Sequence, residues 1–274
     1  MKRLHVAQRF VKRFSQGQVM DRNIHIALNN MRNIGSELRV NAQNMANMNV
    51  PGFRSDLAVT RQAQFVEAFD QFRSRVYSQQ VDTSLFSSEP GNLQNTGQDL
   101  DVAIRGDGYF FIEPATGGDN ALSRRGDLGY DAERFLVDGA GNRVLDTGLA
   151  PIQLPQARRI VIQETGQIDL ELFGAPEGTL VPGPIIATTL AEDRVLAKSP
   201  DGHIRTADGQ GVLPQPDQRA RLAQGSLENS NVNSIASLVS NIESQRHFEM
   251  SVKFIALAQE IDEATSQVMR LPNG

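Results

Sequence analysis

The sequence contains no cysteine and no tryptophan. Without cysteine there is no disulfide framework, thiolate zinc site, iron–sulfur cluster or cysteine nucleophile, and the chain can refold beyond an oxidising boundary without mispairing. Histidine is nearly as scarce. The four residues His5, His25, His203 and His247 offer no HExxH or similar ligand spacing. Aromatic residues make up 6% of the chain, most of them the 13 phenylalanines. Long apolar runs are missing too. No stretch of ~18 apolar residues is available to cross a membrane, and the basic N-terminus lacks the apolar core and small-residue cleavage site of a secretory signal.

An excess of positive charge is also absent. Lys plus Arg number 27 and Asp plus Glu 32, a formal net charge of −5. A nucleic-acid binder would carry a basic field to displace counterions, so no nucleic-acid partner is expected. The charge is nonetheless polarised: residues 1–54 hold nine Lys/Arg and two Asp/Glu, a net of +7, leaving −12 for the remainder. Complementary ends of this kind steer association between copies of a chain.

At ~150 residues per domain the length suggests about two domains, and the pattern divides the chain as helix, β-domain, helix. Residues 20–53 read as an N-terminal helix and turn. Ile24, Leu28, Met31, Leu38, Ala42 and Met45 step by 4, 3, 7, 4 and 3, a heptad seam with its gap at Gly35. Val50-Pro51-Gly52 ends the helix, because Pro51 lacks an amide donor. In the connector, 54–95, the spacing of Phe65, Phe69 and Phe72 predicts a short helix followed by extended chain.

Residues 96–222 change character. Short apolar runs at Leu100–Ile104, Tyr109–Ile112, Phe135–Val137, Val144–Leu145, Ile160–Ile162, Ile168–Leu172, Ile185–Leu190 and Val195–Ala197 read as strands. Asp-Gly pairs at 107, 138, 201 and 208 supply hairpin turns. The region is an all-β domain of short hairpin-connected strands, closed or folded into two sheets. The segment 223–274 carries a second long helix over 233–271. Its stripe begins with Ile235, Leu238 and Ile242 and continues with Phe248, Val252, Ile255, Ala258, Ile261, Ala264, Val268 and Leu271, slipping near Gln245 as a stutter would. Asn233-Ser234 is the N-cap and Pro272 follows the end. The fold class is therefore mixed α+β, with long terminal helices pairing as a coiled-coil-like bundle.

Few residues suggest chemistry. Gly106-Asp107-Gly108 lacks the lysine and helix of a phosphate loop and reads as a hairpin turn. Asp138 to Asn142 lacks the ligand ladder of a calcium loop and reads as a hairpin. Asn44 and Asn47 share a face at the helix end, where they terminate the helix or bond backbone in the turn or in a neighbour. Glu243, Arg246 and Glu249 form either a solvated charge stripe, worth about 0.3–0.5 kcal/mol per pair, or an ion-pair lattice between subunits. His247 has no partner in sequence and no GxSxG occurs. No catalytic, metal or cofactor site and no small-molecule substrate is expected.

Four segments resemble the bacterial flagellar rod and hook protein family. Residues 44–53, NMANMNVPGF, are similar to its signature after the first helix. TGQDLDVAIRGDGYFFI at 96–112 is similar to its turn into the β-domain. GSLENSNVN at 225–233 is similar to the approach to its last helix, and ESQRHFE at 243–249 to the core of that helix. The likeness rests on Asn44, Asn47, Pro51, Gly52 and Phe53, on Thr96, Gly97, Asp101, Gly106 and Gly108, on Asn231 and Asn233, and on Glu243, Arg246, Phe248 and Glu249. Met20-Asp21-Arg22 and FEMSVK at 248–253 resemble the proximal-rod FlgF type, while Gln245-Arg246 resembles the distal-rod FlgG type as much.

The resemblance implies a structural, non-enzymatic subunit of the flagellar basal-body rod. It is exported unfolded by the flagellar export apparatus and assembles in the periplasm through its terminal helices, with itself and with other rod and hook-basal-body subunits, into the torque-bearing shaft. It also implies a start near Met20, which makes 1–19 an extension. That extension is either a basic amphipathic segment that meets a membrane or the export machinery, or sequence ahead of the true start. A distal-rod or hook-like paralogue is the near alternative. The alternative of another class is a ligand-binding or carbohydrate-active β-domain on a helical stalk, which requires convergent carboxylates in a cleft.

Overall fold

The computed structural model describes residues 27–57, 64–66, 75–77, 85–192, 194–199, 201–207 and 213–270. The chain forms two compact units: Met1–Ala42, Thr60–Ser78 and Ile235–Gly274 make the first, Gln43–Val59 and Gln79–Ser234 the second. The 1–19 extension and seam residue Ile24 lie outside the described residues.

The first unit holds most of helix α1 (27–46) and nearly all of helix α2 (Ser234–Arg270). Asn233 precedes the first residue of α2, at the N-cap position. On α1, Ala27 and Ile34 are buried and Met31 and Leu38 half-buried, the 4–3–4 steps of a heptad stripe. The covered face of α2 differs from the apolar seam read from sequence. Ser244 and Ser251 are buried, and Ser237, Ser240 and Ile255 are half-buried. Ile235, Leu238, Ile242 and Val252 are exposed, as is Leu28 on α1. Periodicity identifies an apolar face; it does not say whether the same chain covers it. Within this chain, α2 turns small hydroxyl residues inward.

The first unit also contains β1 (Gln64–Val66) and β2 (Arg75–Tyr77), paired antiparallel with Phe65 opposite Val76. This corrects the helix expected from Phe65, Phe69 and Phe72. Three phenylalanines are a single weak turn of pattern, and Val66, Val76 and Tyr77 favour extended chain. Phe69 and Phe72 lie outside the described residues.

The second unit is built around β5 (Tyr109–Glu113). Successive strand residues point to opposite faces, so Phe110 enters one core cluster with Leu136, Ile152 and Ile186, while Tyr109 and Phe111 enter another with Leu122 and Leu145. The main sheet runs β14 (Leu196–Lys198), β15 (Ile204–Thr206), β6 (Ala121–Ser123), β5, β9 (Arg143–Val144), β8 (Leu136–Asp138) and β7 (Leu128–Tyr130), with β13 (Thr188–Thr189) also on β5. A second sheet pairs β10 (Ala157–Ile162), β11 (Gln167–Leu172) and β12 (Val181–Ile185). Pro182 and Pro184 break the donor row of β12, which guards that edge against further strand addition.

Two short ladders close the unit. β4 (Val102–Arg105) pairs with β16 (Arg221–Gln224), and β3 (Leu93–Asn95) with β17 (Ser226–Glu228). Strands β3, β6, β7, β15, β16 and β17 are not singled out by the sequence pattern. Each has three or four residues, too few for alternation to register. The run Ile185–Leu190 is split between the end of β12 and β13. Gly106-Asp107-Gly108 is not a hairpin turn, because β4 and β5 belong to different sheets; it is a corner between them.

Three successive loops share one construction. Oδ1 of Asp131, Asp138 and Asp146 each accepts the amides two and four residues on, at 2.8–3.0 Å. The residue three on takes a positive φ: Arg134 (68°), Gly141 (86°) and Leu149 (60°). This is a carboxylate-closed turn followed by a left-handed residue. Asp138 to Asn142 is indeed a hairpin, with Val137 opposite Arg143 across β8 and β9.

Candidate functional site

In the second unit, the segment after α1 and the segment before α2 meet around a buried carboxylate. The first segment is shaped by its asparagines and Pro51. Asn47 Nδ2 donates to Gln43 O at 2.8 Å, capping the last turn of α1. Asn44, 6% exposed, clamps the backbone of one residue from both sides: its Nδ2 donates to Asp56 O at 2.9 Å and its Oδ1 accepts Asp56 N at 2.7 Å. Gly52, at φ +66°, donates its amide to Glu228 O at 2.7 Å. A Cβ there would stand 2.2 Å from Arg124 O, so both its conformation and its surroundings require glycine.

Glu228, at the end of β17, is 3% exposed. Its Oε2 accepts Arg124 Nε at 2.7 Å, and its Oε1 pairs with Arg54 Nη2 at 3.1 Å and accepts Gly91 N at 2.8 Å. Arg124 also donates Nη1 to Gly108 O at 2.7 Å and Nη2 to Ile104 O at 3.1 Å. Burial, and the neighbouring Arg124 guanidinium, hold Arg54 below its ordinary pKa, with Glu228 opposing. Burial raises the nearby Tyr109 phenol, with both arginines opposing. One carboxylate thus neutralises part of the charge of two buried guanidiniums, an arrangement that tolerates no loss of its anion.

A second pair lies on the same segment. Lys198 Nζ bonds Asp56 Oδ1 at 2.5 Å and Arg54 O at 2.6 Å, and sits 3.9 Å above the Phe53 ring. Burial lowers the Lys198 pKa, against the pull of Asp56. Asn231 completes the junction. Its Oδ1 accepts Ser55 N at 2.7 Å, its Nδ2 donates to Glu89 O at 2.8 Å, and its amide donates to Phe53 O at 3.2 Å. Thr96, Gly97 and Asp101 form an adjoining knot. Thr96 Oγ1 donates to Asp101 Oδ2 at 2.5 Å, the amides of Thr96 and Gly97 donate to Gly225 O, and Gly225 N donates to Asp101 O.

The structure therefore brings Asn44, Gly52, Phe53 and Asn231 into one junction, with Gly108 at its edge. Glu243, Arg246, Glu249 and Phe248 belong to the other unit, where all four are exposed on α2. Met45 is half-buried in the last turn of α1. The residues that carry the lock, Arg54, Asp56, Arg124, Lys198 and Glu228, were not singled out by sequence. Arg54 directly follows the NMANMNVPGF segment and Glu228 lies within GSLENSNVN, but pairing across 104 residues leaves no local pattern. Among the described residues, no group of three or more His, Asp and Glu could hold a metal ion, and no helix is long and apolar enough to cross a membrane.

Taken together, these features describe an α+β protein whose distinctive site is a tie between distant segments. Two family models match. The flagellar basal body rod FlgEFG protein C-terminal model covers residues 223–268, and the flagellar hook protein FlgE/F/G D1 domain model covers residues 103–170. The chain is 30% identical over 256 residues to the flagellar basal-body rod protein FlgF of Caulobacter vibrioides, spanning 92% of this chain and 98% of that one. It is 28% identical to FlgF of Salmonella typhimurium, spanning 92% and 100%, and 32% identical over 190 residues to FlgG of Agrobacterium fabrum, spanning 66% and 68%. The chain belongs to the flagellar basal-body rod protein family and is FlgF-like.

Proposed function

We propose that this chain is a structural, non-enzymatic subunit of the proximal part of the flagellar basal-body rod. It is exported unfolded and assembles with copies of itself and with other rod and hook-basal-body subunits. The near-full-length match to FlgF relatives carries the reading. We divide the chain by role into an extension (1–19), an N-terminal helix and turn (20–53), a connector (54–95), a β-domain (96–222) and a C-terminal helical segment (223–274).

The terminal helices bundle and join neighbouring subunits. The exposed Ile235, Leu238, Ile242 and Val252 suit this role, because apolar residues left uncovered by their own chain are available to a neighbour. The exposed Glu243, Arg246 and Glu249 would add ion pairs along the same helix. Asn44, Gly52, Phe53 and Asn231 act within the subunit, as the junction that holds the β-domain to the chain segments leading to both helices. A distal-rod position is the second reading, favoured by the FlgG match. A carbohydrate-active β-domain has less support: Asp131, Asp138 and Asp146 are engaged in closing their own turns.

Electron microscopy of basal bodies from a strain deleted for the gene, beside a motility assay, tests the proposal. Rods that stop short and lack hooks are expected, restored by the gene in trans, and the height of the break separates proximal from distal. Complete rods and hooks in the deletion strain would overturn the assignment.

A further inference from the structure

Among the described residues, asparagine–serine hydrogen bonds join α1 to α2. Asn41 Nδ2 donates to Ser240 Oγ at 3.0 Å, and Asn30 Nδ2 to Ser251 Oγ at 3.5 Å. Ser251 Oγ donates onward to His247 O at 2.9 Å, which leaves its lone pairs for Asn30. The later residue of α1 meets the earlier residue of α2, so the helices run antiparallel. The rungs are eleven residues apart on each helix. Eleven residues make three turns with only about 20° left over. Both rungs therefore fall on one face of each helix, about 16 Å apart, and the stutter near Gln245 in the sequence pattern lies between them.

The spacing has a consequence for alignment. Serines in α2 stand at 234, 237, 240, 244, 251 and 266, and only 240 and 251 are eleven apart. One antiparallel alignment alone gives both asparagines a serine. A slip of four residues would put Asn41 opposite Ser244 but Asn30 opposite Ile255. A slip of three the other way would put Asn41 opposite Ser237 but Asn30 opposite Phe248. A slip of one heptad would put them opposite His247 and Ala258. Each loses at least one partner; losing that of the half-buried Asn41 lowers the population of the slipped state by up to about tenfold, and losing that of the exposed Asn30, whose bond is the longer, lowers it less.

We infer that Asn30–Ser251 and Asn41–Ser240 are register-setting rungs, and that they fix one axial alignment of the helix pair. Polar residues in coiled-coil cores specify register in the same way, at some expense of stability. The inference rests on the bundling of the terminal helices proposed above and adds the residues that align it. Its value to a polymerising subunit is geometric. A single register holds the exposed apolar residues of α2 at the same heights relative to α1 in every copy, which a repeating lattice requires.

The absence of cysteine makes the test direct. Spin labels on Arg39→Cys and Lys253→Cys, both exposed, report the inter-helix distance in the full chain by pulsed electron resonance. One narrow distance is expected. In the Asn30→Leu/Asn41→Leu background, added populations displaced by about 5–10 Å are expected, the axial shift of slips of three to seven residues. The exchanged pair Asn41→Ser/Ser240→Asn should keep the single distance. An unchanged narrow distance in the leucine background would overturn the inference while leaving the helix pair intact. No defined distance in the parent chain would overturn the helix pair itself, and this inference with it. Should the leucine variant lose helix by circular dichroism, the exchanged pair decides, and a spread of distances there overturns the inference.

Discussion

Arg124 and Glu228 form a buried ion pair across 104 residues, with Arg124 Nε 2.7 Å from Glu228 Oε2 and each side chain almost wholly enclosed. The pair belongs to a three-membered group, since Arg54 holds the other oxygen. Removing the anion leaves two guanidiniums buried without it, whereas removing one arginine leaves a neutralised pair. Breaking such a pair costs about 3–5 kcal/mol. Glu228→Gln should therefore destabilise the β-containing unit by that order in urea unfolding followed by circular dichroism, and Arg54→Met by less. Equal losses for the two variants would contradict the shared-anion arrangement.

Gly52 and Gly97 take nearly the same positive φ, +66° and +70°. Their surroundings differ. A Cβ at Gly52 would meet the Arg124 carbonyl at 2.2 Å, whereas one at Gly97 would meet nothing within 4 Å. Gly97→Ala should lose only the left-handed penalty of about 1–2 kcal/mol. Gly52→Ala must also displace the backbone at Arg124 and Arg125, just past β6, and is expected to cost at least twice as much, read as the difference in urea midpoint between the two variants.

These two glycines also show what the sequence discloses. Both lie in the segments that carry the family resemblance, and both take a positive φ with the amide bonded to a distant carbonyl. The start of the last helix is legible as well: Asn233-Ser234 by pattern, Ser234 in the structure. Capping residues, Pro51 and long periodicity are local signals. What escaped was non-local. Glu228 sits in a three-residue strand whose partner, β3, lies more than 130 residues earlier. Ile235, Leu238 and Ile242 were legible as an apolar stripe, yet only tertiary structure reveals that the chain covers the serine face instead.

Leu149 and Arg134 occupy equivalent left-handed positions in two of the aspartate-closed loops, at φ 60° and 68°. The third loop places Gly141 there. Leu149 is 38% exposed. Arg134 has compensation, stacking 4.2 Å over the Tyr130 ring and donating to Pro155 O at 2.9 Å. Leu149→Gly should therefore raise stability by up to about 1 kcal/mol by relieving the backbone. Arg134→Gly should be neutral or destabilising, because it forfeits the stack. Thermal midpoints of the two variants measured side by side check the difference in sign.

Acid should weaken the β-containing unit through particular carboxylates. Burial alone would raise Asp201 and Asp217, but hydrogen bonds from Arg205 and the His203 amide, and from the Arg219 and Leu190 amides and the Arg219 side chain, bring both below 3.8. A carboxyl with a depressed folded pKa binds fewer protons folded than unfolded, so its contribution is present above the unfolded value and lost as pH falls through the folded one. The loss should fall below about pH 4. Asp201 is exposed and Asp217 half-buried, so solvent screening keeps the effect of each small. Asp201→Asn/Asp217→Asn should lower stability at neutral pH and flatten the acid limb of the stability profile from pH 5 to 2. An acid limb of undiminished slope in the double variant would place the acid sensitivity on other carboxylates.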